Sequence, residues 1–284
     1  MLTIPISLIK ARGIQFDYAI LDADPYVYAC GFAVQKTDKE TGIVHCEPAK
    51  HAFYNVNHSF KKALYEIGAK NYEVYLTGKN NFRKDIYKYY KENRVKCLEK
   101  CIHPYDCEHE KVDARPVYYK QIRQFIEKRW EGIVYDGQEA DDSVSIRHCD
   151  LNPLGFKYNI YNSVIVSIDK DFNNVPGYKY NPKKQELTYH TEVEALRNFY
   201  LQILCGDTSD NVPRVKKGWR KARVEEALNN VDTELEMYDI IVSECANVLD
   251  DSYEQTRNFI DRNGKLVWLR RRENELWQCP EVKD

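Results

Sequence analysis

The stretch Val164-Ile165-Val166-Ser167-Ile168-Asp169-Lys170-Asp171 decides the fold. Its apolar, β-branched run predicts a strand over 164–168. Two acids end it at i and i+2, positions that share one side of an extended chain. The same order occurs upstream, where Phe16 to Leu21 run apolar, stop at Asp22 and Asp24, and lead into a periodic segment from Pro25 to Val34. That reads as strand, acidic turn, helix. Further strands are expected at 72–76 and 133–135, with helices at 49–68, 118–130, 139–148 and 192–205. Alternating strands and helices imply an α/β domain with a mainly parallel sheet flanked by helices.

Beyond Asp207 the signal is helical only, at 224–228, 235–249 and 253–259. We therefore divide the chain into a core over 1–200 and a smaller helical lobe over 201–284. The 284 residues are enough for both. Apolar residues make up 43% and charged residues 30%, as in a folded chain rather than a disordered one. No run approaches the ~18 apolar residues of a membrane span, and the N-terminus does not read as a signal peptide. Lys+Arg total 42 against 44 Asp+Glu, which excludes a surface basic throughout but allows local segregation of charge. Nine cysteines, an odd number with several in apolar runs, point to an intracellular, reduced protein.

Function is written in where the acids fall. Asp22, Asp169 and Asp171 follow strands; Glu139 and Asp142 share one helical face with Asp141 one position round; Asp207 and Asp210 repeat the i,i+3 spacing. Ligands of open α/β sheets collect at the carboxyl ends of strands. A lone acidic pair is more often an N-cap or a solvated turn, but four clusters after apolar runs are not. Carboxylates converging there repel one another unless cations intervene, and hard divalent ions with oxygen ligands suit them. Two such ions about 4 Å apart activate water and stabilise a leaving oxygen. At this level a nuclease, a phosphatase and a Mg²⁺-dependent transferase remain open.

Residues 79–100 carry eight basic side chains, among them Lys79, Arg83, Lys84, Lys91 and Arg94, against three acids, interleaved with Phe82, Tyr87, Tyr89 and Tyr90. Charges for phosphates and rings for bases suit nucleic acid; a solvated amphipathic helix is the plain alternative. The stretch reads as a surface arm, and as a helix it would align Arg83, Tyr87, Lys91 and Arg94. A second basic cluster, Arg214, Lys216, Lys217, Arg220, Lys221 and Arg223, follows Asp210 and suits backbone phosphates. Cys97, Cys101, His103, Cys107 and His109 crowd a polar segment with three readings: a structural Zn²⁺, free thiols, or a disulfide.

The motifs AILDAD (19–24), NNFRKDIYKYYKENR (80–94), RPVYYKQIRQFIE (115–127), GQEADDSVSI (137–146), VSIDKDFNNVPG (166–177) and LQILCGDTSDNVP (201–213) together resemble the 5′-3′ exonuclease and flap endonuclease family, closest to its tailed-phage members. Leu266 to Arg270 and Trp277 fit the same likeness. The resemblance implies a PIN-like core, a helical arch over 78–120, and a C-terminal helix-turn-helix-like lobe that binds the duplex. It implies two Mg²⁺ or Mn²⁺ ions held by Asp22, Glu139, Asp141, Asp142, Asp169, Asp171, Asp207 and Asp210. It also implies Arg83 on the scissile phosphate, Lys79 or Lys84 as its companion, and Arg94 lining the arch.

Three features depart from the family pattern. Thr77-Gly78 stands where the family has an acid before its glycine, with Asp24 the nearest substitute. Arg214-Val215-Lys216-Lys217-Gly218-Trp219 replaces a Gly-rich hairpin, which argues against K⁺ there. The Cys/His segment is an insertion in the arch. The activity implied is 5′-3′ hydrolysis of DNA at ends, nicks or flaps, by a monomer in the cytoplasm, a phage's host cytoplasm on this likeness, with no membrane partner. The alternatives are ribonuclease H-like action on RNA–DNA hybrids, a branched-DNA-binding protein with weakened catalysis and, more remotely, a PIN-type toxin ribonuclease, against which the length and the lobe both argue.

Overall fold

The computed structural model describes residues 2–5, 14–97, 111–112, 114–155, 161–215, 221–249 and 253–280. They form two units, one of residues 1–80, 115–172 and 177–189, the other of residues 81–114, 173–176 and 190–284.

The first unit begins with strand β1 (Leu2–Pro5) and then β2 (Tyr18–Asp22), whose last four residues are all buried. Asp24 and Pro25 open helix α1 (Asp24–Phe32), where a proline costs no hydrogen bond because the first-turn N–H groups have no helical partner. A short hairpin, β3 (Gln35–Thr37) and β4 (Val44–Cys46), leads to helix α2 (Ala49–Ile67). Ala52, Val56, Phe60, Ala63 and Ile67 give α2 one buried face at helical spacing. Gly68 ends it in a left-handed conformation, and β5 (Asn71–Thr77) follows.

The chain then contributes α3 (Arg83–Ile86) and the two-residue strands β6 (Lys96–Cys97) and β7 (Lys111–Val112) to the second unit. It completes the first with α4 (Tyr119–Arg129), β8 (Ile133–Tyr135), α5 (Ala140–Leu151), β9 (Ser163–Val166), β10 (Gly177–Asn181) and β11 (Glu186–His190). The seven strands lie in the order β1-β11-β10-β9-β2-β5-β8. The pairs β10–β9, β9–β2, β2–β5 and β5–β8 are parallel, and β1 is antiparallel to β11. The expected mainly parallel, helix-flanked sheet is therefore present.

The strand order positions the site. From β2 the chain moves outward through β5 to β8, then returns to the other side of β2 as β9 and continues outward through β10. The reversal leaves a crevice beyond the carboxyl ends of β2 and β9, the place where open α/β sheets bind ligands. Leu21 pairs with Val166, so Asp22 and the Ser167–Asp171 segment leave the sheet side by side.

The second unit holds α6 (Glu192–Cys205), α7 (Lys221–Asn229), α8 (Glu234–Leu249) and α9 (Tyr253–Val267). Thr191 and Glu194 cap α6 reciprocally. Its core centres on Phe199, whose ring lies 4.8 Å from Trp268 and 5.4 Å from Trp277. The Trp277 ring presses so closely on α9 that a Cβ at Gly264 would meet it at 2.2 Å, which explains a glycine inside that helix. Among the described residues no helix is long and apolar enough to cross a membrane.

The expected surface arm is corrected. Between 78 and 97 there is only the single turn α3 and a 3₁₀ turn at Glu92–Arg94, separated by extended Tyr87 and by Lys91 at a φ of 58°. Arg83, Tyr87, Lys91 and Arg94 therefore share no helical stripe. Arg83, Tyr90 and Glu92 are buried. The segment packs as part of the second unit because its aromatic side chains join that unit's core, with Tyr90 in it and Ile86 and Tyr87 against it.

Candidate active site at the carboxyl ends of β2 and β9

Asp22, the last residue of β2, is only 4% exposed. Its Oδ2 accepts a hydrogen bond from the Ser167 hydroxyl at 3.0 Å, and its Oδ1 accepts from the Asp24 N–H at 3.3 Å. The Ser167 oxygen accepts from the Asp169 N–H at 3.0 Å, and Asp169 Oδ1 from the Asp171 N–H at 2.9 Å. A relay of short-range bonds thus connects Asp22, Asp169 and Asp171. Burial above all, then the charges of Asp24 and Asp169, push the Asp22 carboxyl from 3.8 up to about 8. The Ser167 hydroxyl and the Asp24 N–H pull the other way without balancing them.

Asp24 carries the acidic edge toward α5. Its carboxylate accepts from the Thr77 N–H at 3.3 Å and pairs with Arg123 at 3.3 Å. Arg123 also donates to the Thr77 carbonyl at 2.6 Å, and the Thr77 hydroxyl accepts from the Ala140 N–H at 2.8 Å, in the first turn of α5. Burial raises the Asp24 carboxyl despite Thr77 and Arg123, and Glu139 adds to the rise. Glu139 is the N-cap of α5 and forms a reciprocal capping box with Asp142, while Asp141 Oδ1 accepts the Asp142 N–H at 2.7 Å. Asp24 therefore stands against Thr77, where the family pattern has its acid.

This edge also holds a cation that pattern reading did not single out. Lys179, in β10 between Tyr178 and Tyr180, is buried and donates to the Asp169 carbonyl. Burial lowers its amine from 10.5 to about 8, with Asp169, Asp171 and Asp22 opposing. The alternation Tyr-Lys-Tyr in a strand was the available signal, since one face of it had to meet whatever lies over the sheet.

Asp22, Asp24, Glu139 and Asp169 thus influence one another electrostatically at a single sheet end. Among the described residues no three Asp, Glu, His or Cys side chains are already gathered to ligate one ion. Their carboxylates are instead engaged by N–H and O–H donors, with Arg123 paired to Asp24 and the Lys179 amine beside Asp169 offsetting part of the charge. The donor set is oxygen throughout, and its acids outnumber Arg123 and Lys179, the cations placed beside them, which fits a hard divalent cation.

The other expected site residues fall differently. Asp207 and Asp210 belong to the second unit. Asp207 Oδ1 accepts the Ser209 N–H at 2.6 Å and folds its own turn. Asp210 accepts the Tyr90 hydroxyl at 2.9 Å, pairs with Arg94, and lies 3.4 Å from the Lys91 amine. Its charge is balanced within its own unit, so Lys91 and Arg94 are occupied as its partners rather than held for phosphates. Arg83 is corrected most sharply. Its guanidinium is buried, donating to the carbonyls of Leu266 and Trp268 at 2.8 Å each, where it closes the C-terminal end of α9. It does not face a phosphate.

Lys79, Lys84 and Lys221 are exposed. The Lys79 N–H donates to Asp136 at 2.6 Å across the tight approach at Gly78, where a Cβ would strike Asp136 at 2.2 Å. Lys216, Lys217 and Arg220 lie outside the described residues, as do Cys101, His103, Cys107 and His109; Cys97 ends β6.

No protein-family model matches the sequence, and no curated protein is significantly similar to it. Solved structures do match. A flap endonuclease of bacteriophage T5, as a pseudo-enzyme–product complex with DNA and metal ions, has a TM-score of 0.56 at 15% identity over 88% of each chain. The T5 D15 protein co-crystallised with metal ions gives 0.58 at 14%, again over 88% of each chain. A mutant T5 5′-exonuclease gives 0.55 at 14%, covering 88% of this chain and 87% of that one. With its mostly parallel sheet and its acids at the strand ends, the chain has the fold of the phage T5 5′-exonuclease and flap endonuclease.

Proposed function

We propose that the chain is a divalent-metal-dependent nuclease that hydrolyses DNA phosphodiesters from 5′ ends, with structure-specific cleavage at flaps. The observation that carries this reading is the burial of Asp22 beside Asp24 and Asp169 at the sheet's switch point, where burial first and those two charges second raise its carboxyl to about 8. A buried carboxylate so short of positive charge is suited to a cation. The shared fold supports it, as do the DNA and metal ions of the T5 complex.

Asp22, Glu139, Asp141 and Asp142 would hold one Mg²⁺ or Mn²⁺, and Asp169 with Asp171 a second. When bound, such ions lower the pKa of a water and stabilise a leaving alkoxide. Ser167 orients the Asp22 carboxylate, and Lys179 fixes the Asp169 backbone. In hydrolysis the water oxygen bonds to phosphorus and gives up its proton, the P–O3′ bond breaks, the O3′ of the released 5′ fragment takes up a proton, and the attacked phosphate stays as the new 5′-phosphate of the remaining strand. Exposed Lys79, Lys84 and Lys221 supply phosphate contacts independent of base identity.

Thr77 in place of an acid favours a second reading, a branched-DNA-binding protein of low activity. Titration of Mg²⁺ and Mn²⁺ on flap, nicked and blunt duplexes, with wild type and Asp22→Asn, separates the two. Metal-dependent product from wild type alone supports the nuclease. Binding in EDTA without product at any metal concentration rejects it.

A further inference from the structure

Helix α2 carries a surface that the nuclease reading does not use. Its solvent side presents Lys50, Tyr54, His58, Lys61, Lys62 and Tyr65. Tyr54 is 66% and Tyr65 76% exposed, far more than packing requires of such large rings. Eleven residues of helix set the two tyrosines about 16 Å apart along the axis. The one acid of α2, Glu66, is partly buried, accepting from Gln185 at 2.9 Å and from the Tyr180 hydroxyl, with the Lys62 amine 3.8 Å from its carboxylate. The face is therefore basic and aromatic without an exposed carboxylate.

Beside it a cavity of about 330 Å³ opens between α1, α2 and the β10–β11 turn. Its walls include Pro25, Tyr26, His58, Lys62, Ile168 and Lys183, so His58 and Lys62 belong to both cavity and helix face. Tyr26 is 8% exposed, and its hydroxyl, in the cavity wall, has no hydrogen-bond partner among the described residues. Buried hydroxyls normally have one. The volume is that of a small-molecule site, apolar at Pro25 and Ile168, with the amines of Lys62 and Lys183 and the Glu66 carboxylate, paired to Lys62, in its wall.

We propose that this face and cavity form an accessory site for a single DNA strand. Tyr54 and Tyr65 stack on bases, Lys50, Lys61 and Lys62 meet phosphates, and the cavity beside Tyr26 receives one nucleotide. A cationic track interrupted by largely exposed rings, with Tyr54 stacked on His58 at 6.0 Å between centroids, matches a polyanion with unpaired, stackable bases. A duplex hides those faces. An acidic peptide would satisfy the lysines but neither the tyrosines nor the cavity.

The test is fluorescence anisotropy of a labelled twelve-nucleotide oligo(dT) on the full chain in EDTA, where nothing is hydrolysed. Tyr54→Ala with Tyr65→Ala should weaken binding about tenfold or more, and Tyr54→Phe with Tyr65→Phe should restore it. Lys61→Glu with Lys62→Glu should weaken binding and flatten its salt dependence by roughly one unit of slope or more. Tyr26→Phe should weaken it severalfold, and affinity for blunt duplex should stay within about twofold in every variant. Unchanged oligo(dT) affinity in both double variants, an equal loss on duplex, or equally strong competition by polyglutamate overturns the proposal. Loss of cleavage with this binding pattern intact removes the nuclease reading alone; retained metal-dependent cleavage with the pattern missing removes only the accessory site.

Discussion

Two sets of acids, Asp22 with Asp24 and Asp169 in the first unit and Asp207 with Asp210 in the second, arise from similar sequence grammar and end in opposite electrostatic conditions. Asp210 has Lys91, Arg94 and the Tyr90 hydroxyl around it. Asp22 has a serine, a backbone N–H and two further acids, with the buried Lys179 amine acting on it through its charge. A carboxylate surrounded by cations is a structural partner; one surrounded by acids has room for a metal. Acid spacing alone therefore does not identify a metal ligand, because the cations that neutralise it come from elsewhere in the chain, here about 120 residues earlier.

The largest expected effect tests that contrast directly. Asp22→Asn should lower the cleavage rate about a thousandfold, since several kcal/mol of transition-state stabilisation pass through the metal. It should leave the metal-free melting temperature at pH 8 unchanged or raised, because a buried charge is removed. Asp210→Asn should behave in reverse, costing ~1–3 kcal/mol of stability by stranding Lys91, with the exposed share of Arg94 discounted for solvent. Equal melting behaviour of the two variants would break the comparison.

Next comes Arg83→Ala, expected to destabilise the protein by ~3 kcal/mol, because the Leu266 and Trp268 carbonyls lose a buried charged donor. Arg83→Lys should not rescue it, since an ammonium cannot repeat the guanidinium fork. Chemical denaturation reads the loss, and Mn²⁺ titration should show the first unit's affinity unaltered.

That residue also shows where pattern reading ends. The β-branched run expected as a strand at 164–168, and found as one at 163–166, was legible with the apolar face of α2 because burial on a sheet or helix repeats with a period. The Asp22, Glu139 and Asp169 edge was legible because the carboxyl end of a strand is fixed once the strand is. Arg83 was not, because a dense basic stretch has no period that distinguishes a guanidinium facing water from one facing two carbonyls 183 and 185 residues away. Arg123 reaches Asp24 across 99 residues, and Lys179 reaches Asp169 from a neighbouring strand. Contacts of this kind are made by topology rather than local sequence.

A smaller effect follows from pH. Asp22 keeps its proton in the folded state to about 8 but loses it near 3.8 when unfolded. Between those values the folded state binds more protons, so metal-free stability falls as pH rises. Lys179 holds its proton only to about 8 when folded but to 10.5 when unfolded, so above pH 8 its contribution turns upward. Thermal melts in EDTA should therefore pass through a shallow minimum near pH 8, and Mg²⁺ or Mn²⁺ should remove the falling limb. A curve that rises steadily from pH 5 to 8 without metal contradicts the assignment of a neutral Asp22.

The smallest effect sharpens the first unit's side of the contrast. Thr77 ends β5 with its hydroxyl on the Ala140 N–H and its backbone against Asp24 and Arg123. An aspartate there can still accept from Ala140, so α5 keeps its anchor while the edge gains an oxygen ligand and a negative charge. Thr77→Asp should accordingly tighten Mn²⁺ binding on the order of tenfold, since added ligand charge raises affinity for hard cations. In EDTA the same charge, next to Asp24 and Glu139, should lower the melting temperature at pH 8. Calorimetric titration alongside melts with and without metal reads both signs at once. Stronger binding paid for by a weaker metal-free fold is what a shortage of cations at this edge requires, whereas a loss of stability with no gain in affinity would mean that Thr77 faces the packing of α5 and not the metal.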